Sequence, residues 1–265
     1  MSLLKIENLH TYFTTTKGLI KAVDGITFSL AKGQTLGIVG ESGSGKSQIA
    51  MSILQLLSQN QKIYKGKIVF NGQEISKYNE KQMEQIRGNE IAIIFQDAMS
   101  YLNPVFKIKD QIMEVLKLHK KMNHYEGTQK ILEILHKVKI NNVKRVIEAY
   151  PHQLSGGMCQ RIMIAMALVC QPKLLIADEP TTALDVIIQK EILNLINNLK
   201  SEIKTSILFI THDLGVVSQI VNDVIVMRQG KIIEKGKVQD IFKKPQHIYT
   251  QSLLNNFSKT NFNNY

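Results

Sequence analysis

A glycine-rich loop constrains the fold of this 265-residue chain more than any other feature of its sequence. Residues 40–47 read GESGSGKS and match the pattern G-x-x-x-x-G-K-[ST] of a phosphate-binding loop. The apolar residues 35–39 before the loop are typical of a buried strand, and residues 48–54 after it have helical spacing. This order of strand, loop and helix predicts an α/β fold with a site for ATP or GTP. A glycine-rich turn that caps a helix without any ligand is the alternative.

The residues of this loop have separate predicted roles. Glycines let backbone N–H groups wrap the phosphates, and the start of the helix adds a partial positive charge. Lys46 is expected to reach the β- and γ-phosphates, and the hydroxyl of Ser47 to ligate Mg²⁺. The predicted nucleotide-binding residues are Gly40, Glu41, Ser42, Gly43, Ser44, Gly45, Lys46, Ser47 and Gln48.

An apolar stretch that ends in two acids predicts the other half of such a site. Residues 173–180 read KLLIADEP. At the carboxyl edge of a buried strand, Asp178 is expected to hold Mg²⁺ through water. Glu179 is placed to orient or deprotonate the attacking water, which makes it the predicted catalytic base. A core strand followed by a solvated acidic turn is the alternative.

Between these two motifs, residues 154–161 read LSGGMCQR and run into a helical stretch. LSGG followed by a helix resembles the signature of the ATP-binding cassette (ABC) ATPases. Ser155 and the backbone of Gly156 and Gly157 would form a second anion-binding helix start. In that family this end closes on the γ-phosphate of nucleotide held by the partner subunit, so the resemblance implies a head-to-tail dimer with two composite sites. An ordinary Ser-Gly-Gly N-cap is the alternative.

Three further positions resemble functional residues of the family. Gln96 follows an apolar stretch and resembles the glutamine that contacts Mg²⁺ and links the site to the membrane partner. Asp185 ends the segment ALD, which resembles the loop that crosses the dimer interface. His212 also follows an apolar stretch and matches the histidine that contacts the γ-phosphate. The resemblance therefore implies catalytic roles for Gln96 and His212 beside Glu179.

An aromatic residue near the N-terminus is the candidate partner of adenine. Phe13 falls where the family stacks an aromatic ring on the base. Tyr12 is adjacent, and only the spacing separates the two, so Tyr12 remains the alternative.

Seven segments resemble the peptide and nickel branch of ABC importers, most closely the first of the two ATPase subunits of oligopeptide or dipeptide permeases. They are residues 22–26, 37–47, 97–104, 151–158, 179–186, 211–217 and 247–254. The chain departs from that branch in three ways. Ile248 replaces a usual proline, Cys159 replaces a usual basic residue, and the longer cysteine-bearing tail of many relatives does not follow. A nickel or other small-substrate importer is therefore the alternative.

The resemblance also implies partners and a location. It implies an ATP-hydrolysing, Mg²⁺-dependent subunit at the cytoplasmic face of the membrane. Its expected partners are two transmembrane permease subunits, a second similar ATPase subunit or a copy of itself, and, indirectly, a substrate-binding protein. A soluble ABC protein that acts on ribosomes or DNA is the alternative from another class.

Composition limits the other possibilities. The longest apolar run, residues 162–170, is too short to span a bilayer, and the polar N-terminus predicts no signal peptide. The two cysteines cannot form a disulfide framework or a metal cluster. The net charge of +11 could indicate a nucleic-acid site or an anionic membrane face. Much of it comes from scattered lysines that alternate with apolar residues at helical spacing, which favours a solvated face over either.

The predicted organisation is one P-loop ABC cassette over residues 1–254. Its mainly parallel core sheet is expected in 1–95 and 154–254, with an antiparallel β part near the N-terminus. An α-helical subdomain is expected at about 96–153, because the apolar spacing there becomes helical. The polar residues 255–265 are expected to form a flexible tail.

Cys159 carries a separate hypothesis. If the LSGG motif opens a helix, Cys159 lies in its first turn, where the helix dipole favours the reactive thiolate. A buried, inert thiol is the alternative.

Overall fold

The structure, a computed structural model, describes residues 2–16, 18–182 and 185–262, with side chains in the last helix described to Asn255. The chain forms two compact units, the first comprising Met1–Met83 and Ser206–Tyr265 and the second Glu84–Thr205. Its strands are β1 Ser2–Thr15, β2 Gly18–Ala31, β3 Thr35–Val39, β4 Gln61–Phe70, β5 Gln73–Glu74, β6 Ile91–Ile94, β7 Leu174–Asp178, β8 Ser206–Thr211, β9 Asp223–Arg228 and β10 Lys231–Lys237. Its α-helices are α1 Lys46–Leu54, α2 Glu80–Ile86, α3 Ala98–Tyr101, α4 Ile108–Lys120, α5 His124–Lys137, α6 Val143–Val146, α7 Gly156–Leu168, α8 Val186–Ile203, α9 Leu214–Ile220, α10 Val238–Lys243 and α11 Ile248–Phe262.

An antiparallel sheet forms the N-terminal part of the first unit. Its strand order is β2-β1-β4-β5. Apolar residues alternate along β2, so that Ile26, Phe28 and Leu30 are buried while the residues between them are exposed. This period of two is what a sheet with one buried face requires.

A second set of strands in the first unit positions the phosphate-binding loop. Strand β3 pairs in parallel with β8 on one side and β9 on the other, and β10 pairs antiparallel with β9. All residues of β3 and β8 are buried, as expected for parallel strands that are covered on both faces. Because parallel strands share one carboxyl edge, the segments that follow β3 and β8 emerge side by side.

The second unit combines two parallel strands with helices. Strand β6 pairs with β7 from Ile91 opposite Leu174 to Ile94 opposite Ala177. Helices α3 to α6 and a 3-10 turn, Pro151–Gln153, occupy the range in which the sequence predicts helices. The division of the chain into a core and an inserted subdomain stays a prediction, because the two compact units divide it at other positions.

Helix α11 continues to Phe262, beyond the point where the polar composition predicts a flexible tail. Residues 248–262 contain neither glycine nor proline, so nothing local ends the helix at Asn255. The flexibility of residues 255–265 stays a prediction. Among the described helices, none combines the length and apolar character that crossing a bilayer requires.

Candidate functional site

The phosphate-binding loop lies between the end of β3 and the start of α1. A Cβ atom on Gly40 would lie 2.3 Å from the carbonyl oxygen of Met227, and one on Gly45 would lie 2.1 Å from that of Ala22. Both glycines have positive φ, +155° and +100°. Only glycine allows such close approach of neighbouring backbone in these conformations. The tertiary packing therefore requires the two glycines that begin and end the loop.

Lys46 is buried inside its own loop. Its side chain is 5% exposed, and its Nζ donates hydrogen bonds to the carbonyl oxygens of Gly40 at 2.8 Å and Glu41 at 2.9 Å. The ammonium is thus held beside backbone dipoles rather than in bulk water. A fixed cation at the start of a helix suits a polyphosphate.

The remaining loop residues have the polarity and space that a polyphosphate needs. Glu41, Ser42 and Gly43 are exposed. Ser44 is buried, its carbonyl accepts from Gly230 N at 3.0 Å, and within the described part of the chain its Oγ has no hydrogen-bond partner. Ser47 and Gln48 lie in the first turn of α1, so all nine predicted loop residues lie at one helix start.

His212 lies at the same edge of the sheet as this loop. It directly follows β8, whose last residue, Thr211, is opposite Val39 in the parallel register of β3. His212 is exposed, and Asp213 next to it accepts hydrogen bonds from Gly215 N at 2.8 Å and Val216 N at 3.3 Å. Asp213 thus caps α9 and fixes the turn that carries His212.

Tyr12 and Phe13 have different surroundings. The Tyr12 hydroxyl donates to Asp24 Oδ1 at 2.8 Å, and its ring centroid lies 5.0 Å from that of Tyr64. The hydrogen bond from Tyr12 is the main reason that the pKa of Asp24 is lowered. Successive strand residues point to opposite faces, so Phe13 lies on the other face of β1.

The face that carries Phe13 also contacts α1. Phe13 is opposite Gln61 in the register of β1 with β4, and cross-strand neighbours share a face. Gln61 Nε2 donates to Gln48 Oε1 at 2.5 Å. Phe13 therefore lies on the face of the antiparallel sheet that meets the helix of the phosphate-binding loop.

In the second unit, Gln96, Asp178 and Glu179 lie at or just after the carboxyl ends of two paired strands. Asp178 ends β7 and is 7% exposed, whereas Gln96 lies two residues after β6 and is exposed. Glu179 has a left-handed backbone conformation, with φ of +49°, which is uncommon for a residue with a side chain. Its Oε2 accepts a hydrogen bond from Thr182 Oγ1 at 3.0 Å, which orients the carboxylate.

The LSGG segment opens α7 as the sequence predicts. Ser155 is the N-cap, and its Oγ accepts from Met158 N at 3.4 Å. Gly156 is exposed, with open space where a Cβ would lie. A Cβ on Gly157 would lie 3.1 Å from Cγ2 of Ile188, so this glycine lets α8 approach closely. An exposed helix start of this kind suits an anion, because the first N–H groups of a helix have no partner within it.

Asp185 caps the next helix. Its Oδ1 accepts from Ile187 N at 3.1 Å and Ile188 N at 3.0 Å. Ala183 and Leu184, the other residues of the predicted interface loop, lie outside the described residues.

The structure thus assembles the predicted residues in two groups. The first unit brings together the loop 40–48, His212 and Phe13. The second brings together Gln96, Asp178 and Glu179 at one edge, and carries Ser155 to Gly157 and Asp185 at two helix starts.

A family model described as "ABC transporter" matches residues 23–182. This chain belongs to the ABC transporter family. The predicted membership of the ABC ATPases and the predicted fold class are confirmed.

Several relatives are transport ATP-binding proteins. The chain is 49% identical over 253 residues to the oligopeptide transport ATP-binding protein OppD of Salmonella typhimurium, covering 96% of this chain and 75% of OppD. It is 50% identical over 254 residues to AppD of Bacillus subtilis, also an oligopeptide transport ATP-binding protein, covering 96% and 77%. It is 47% identical over 261 residues to the dipeptide transport ATP-binding protein DppD of Bacillus subtilis, covering 98% and 78%.

Solved ABC cassettes have a similar fold. The ATP-binding cassette MJ0796, in a dimeric post-hydrolysis state bound to ADP and Pi, has a TM-score of 0.79 at 26% identity, over 89% of this chain and 98% of that one. CbiO1 from Clostridium perfringens, part of the ABC transporter complex CbiONQ, has a TM-score of 0.79 at 27% identity, over 98% of this chain and 99% of that one. The chain is an ABC-type ATPase.

Two residues of the ABC signature helix have contacts that the sequence analysis did not predict. Gln160 is 2% exposed, and its Nε2 donates to the carbonyl of Pro180 at 2.5 Å, directly after Glu179. Arg161 donates to the carbonyl of Val138 at 3.0 Å and pairs with Glu191 at 2.6 Å. A polar residue in an otherwise apolar stretch was the available signal for Gln160, because buried amides require partners.

The hypothesis of a reactive Cys159 is wrong. Cys159 is 0% exposed, and its Sγ donates to the carbonyl of Pro151 at 3.6 Å. Burial raises the pKa of its thiol. It lies in the first turn of α7, but its side chain points into the protein, where desolvation of the thiolate outweighs the helix dipole.

We accordingly expect Cys159 to be unreactive in the folded protein. In a Cys170→Ser variant, maleimide should label Cys159 at least about 100-fold more slowly than in urea-unfolded chain, as an opening cost of about 3 kcal/mol implies. Mass spectrometry of timed samples measures both rates, with and without ATP. Rapid labelling of the folded variant would contradict this burial.

Proposed function

We propose that this chain is the ATP-binding and ATP-hydrolysing subunit that powers an importer of oligopeptides or dipeptides. The observation that supports this most is its identity of 47–50% with named oligopeptide and dipeptide transport ATP-binding proteins over 96–98% of the chain. The buried ammonium of Lys46 within a loop of polyphosphate-binding geometry supports nucleotide binding independently.

The proposed residue roles are those that the motifs and the family resemblance imply, and the local geometry of each group supports them. Residues 40–48 bind the phosphates, and the ring of Phe13, on the face that meets α1, stacks on adenine. Ser47 in the first unit, and Gln96 and Asp178 in the second, each carry an oxygen of the kind that Mg²⁺ prefers, and the ion would neutralise charge at the phosphates. Glu179, oriented by Thr182, positions or deprotonates the attacking water, and His212 contacts the γ-phosphate.

The proposed assembly is a head-to-tail dimer of ATPase subunits on two transmembrane permease subunits at the cytoplasmic face of the membrane. The second ATPase subunit is a similar chain or a copy of this one. The exposed start of α7, residues Ser155 to Gly157, closes on nucleotide held by the partner ATPase subunit. A substrate-binding protein delivers the peptide, and no nucleic acid takes part.

An exposed apolar segment after Gln96 is the proposed contact with a permease subunit. Met99, Tyr101, Val105 and Phe106 are 44%, 56%, 70% and 52% exposed. Gln111 in α4 holds the backbone of this segment, because its Nε2 donates to the carbonyls of Asn103 at 3.0 Å and Phe106 at 2.9 Å. A rigid backbone with exposed apolar side chains suits a docking surface.

Phe106→Ala is therefore expected to weaken permease binding by at least about tenfold, the scale of losing an aromatic anchor. Basal ATP turnover should stay within about twofold, because the Gln111 hydrogen bonds to the backbone survive. Pull-down and turnover assays on the same variant separate the two effects. Leu118→Ala in α4, with Leu118 71% exposed, is the matched control. Equal losses in both variants would contradict a specific docking role.

The cargo is tested by uptake. Deletion of the coding region in the source organism should abolish uptake of radiolabelled oligopeptides and leave Ni²⁺ uptake unchanged. Wild-type protein should restore uptake and the Lys46→Ala variant should not. Loss of Ni²⁺ uptake alone would favour the nickel branch, and loss of neither would favour an ABC protein without a transport role. Mass spectrometry of the purified complex identifies the permease and ATPase partners.

A further inference from the structure

A tyrosine far along the chain contacts the backbone of the phosphate-binding loop. Tyr249, near the start of α11, is 5% exposed, and its hydroxyl accepts a hydrogen bond from the backbone N–H of Glu41 at 3.1 Å. The two residues are 208 positions apart in sequence, and both belong to the first compact unit. The residue contacted is the second of the loop, next to Gly40.

Glu41 is held on both sides of its backbone. Tyr249 binds its N–H, and Lys46 Nζ donates to its C=O at 2.9 Å. Lys46 also donates to Gly40 O, which belongs to the same peptide group as Glu41 N. Tyr249 and Lys46 therefore bind the same peptide group, Tyr249 at its N–H and Lys46 at its C=O. The orientation of this group affects where the lysine ammonium lies.

The tyrosine ring is itself fixed. The guanidinium of Arg228, the last residue of β9, lies 4.7 Å from the ring centroid. Burial raises the pKa of Tyr249, and the nearby Glu41 carboxylate acts in the same direction, while the Glu41 N–H and Arg228 act against them without reversing the rise. The hydroxyl is thus neutral at physiological pH, and its oxygen is available to accept the Glu41 N–H.

Glu234 of β10 anchors the segment that carries Tyr249. Its Oε1 accepts from Gln246 N at 2.8 Å and its Oε2 from His247 N at 3.2 Å. His247 Nδ1 in turn accepts from Tyr249 N at 3.0 Å. Burial raises the pKa of Glu234, but these hydrogen bonds outweigh it and lower the pKa overall, so the carboxylate stays charged near neutral pH.

We propose that Tyr249 is a positioning residue for nucleotide binding, which holds the Gly40–Glu41 peptide so that Lys46 points into the loop. Residues 41–43 are exposed, and the carbonyls of Gly40 and Glu41 are held by Lys46 Nζ and, for Glu41, also by Ser44 N at 3.1 Å. The hydroxyl of Tyr249 adds the restraint on the N–H side of this peptide, and Glu234 supports it by holding the segment before Tyr249. The inference rests on the proposal that residues 40–48 bind ATP.

The direct test is Tyr249→Phe, which removes the hydroxyl and keeps the ring over Arg228. We expect Kd and KM for ATP with Mg²⁺ to rise about three- to tenfold, the scale of one hydrogen bond. Because Glu179 and His212 are untouched, kcat should stay within about twofold. The full chain is used, and Kd is measured by calorimetry.

Tyr78→Phe is the matched control. The hydroxyl of Tyr78, in the same unit, donates to Gln73 Oε1 at 2.5 Å. The Tyr78→Phe variant should lose this one hydrogen bond without a change in Kd or KM for ATP. If Tyr249 only packs α11 in place, Tyr249→Phe will leave KM unchanged, with or without a loss of active protein, and that result would overturn the proposal. An equal rise in Kd for Tyr78→Phe would overturn it too.

A double-mutant cycle with Glu234→Ala tests the proposed order of contacts. If Glu234 acts through Tyr249, Glu234→Ala should raise KM in the wild-type background and add little to it in Tyr249→Phe. Effects that multiply would show that Glu234 does not act through Tyr249. Lys46→Ala distinguishes a failure of the nucleotide-binding loop assignment from a failure of the role proposed for Tyr249. If it retains ATP affinity, the assignment of the loop fails; if it loses affinity while Tyr249→Phe binds normally, only the role of Tyr249 fails.

Discussion

Lys46→Ala is expected to raise the Kd for ATP at least about 100-fold. Charge-assisted hydrogen bonds contribute about 1.5–3 kcal/mol each, and the lysine is expected to serve two phosphates. No compensation is expected from the carbonyls of Gly40 and Glu41, which now bind the ammonium, because they would repel a phosphate. Calorimetry with ATP and Mg²⁺ measures the loss.

The control for this experiment is Lys77→Ala, which removes an exposed lysine of the same unit that pairs with Glu74 at 3.2 Å. Its ATP affinity should equal that of the wild-type chain, because surface ion pairs contribute little. Thermal unfolding of both variants checks that they are folded. Unchanged affinity in folded Lys46→Ala would reject residues 40–47 as the nucleotide-binding loop.

Glu179→Gln is expected to bind ATP normally and to hydrolyse it about 10²–10⁴ times more slowly, the usual scale of losing a general base. The amide keeps the shape of the side chain and can still accept the hydrogen bond from Thr182 Oγ1, but it cannot take a proton from water. Because ATP persists, the variant should accumulate as an ATP-bound dimer. Single-turnover assays measure the rate, and size-exclusion chromatography measures the dimer.

Glu202→Gln is the matched control, since Glu202 is a 55% exposed carboxylate of the second unit, 4.0 Å from Lys137. Its turnover should be that of the wild-type chain. A turnover near normal in Glu179→Gln would show that Glu179 is not the base. A similar loss in both variants would indicate a general effect of lowered charge.

Local patterns were sufficient to predict the fold class and the position of each candidate residue along its element. The loop 40–47 follows a buried strand, Asp178 ends one, and Ser155 caps a helix, because each depends on residues only a few positions away. Between Phe13 and Tyr12, spacing alone could not decide. The register of β1 with β4 places Phe13 on the face that contacts α1, and this register depends on a strand about 50 residues later.

The prediction for Cys159 was wrong for a related reason. Its place in the first turn of α7 was predicted correctly, but reactivity depends on where the thiol points and on what covers it. Cys159 is 0% exposed and its Sγ contacts the carbonyl of Pro151, so the neutral thiol is favoured over the thiolate. The direction of a side chain within one helical turn depends on the elements that pack against the helix.

The sequence by itself determined the family, the strand–loop–helix order and the chemistry that each motif offers, because backbone conformation and phosphate-binding patterns are encoded within a few residues. Only the tertiary structure decided which distant groups meet. It brought Tyr249 to the N–H of Glu41 and Ile188 against Gly157. Such contacts follow from how whole elements pack, and no periodicity or motif in either segment specifies its partner.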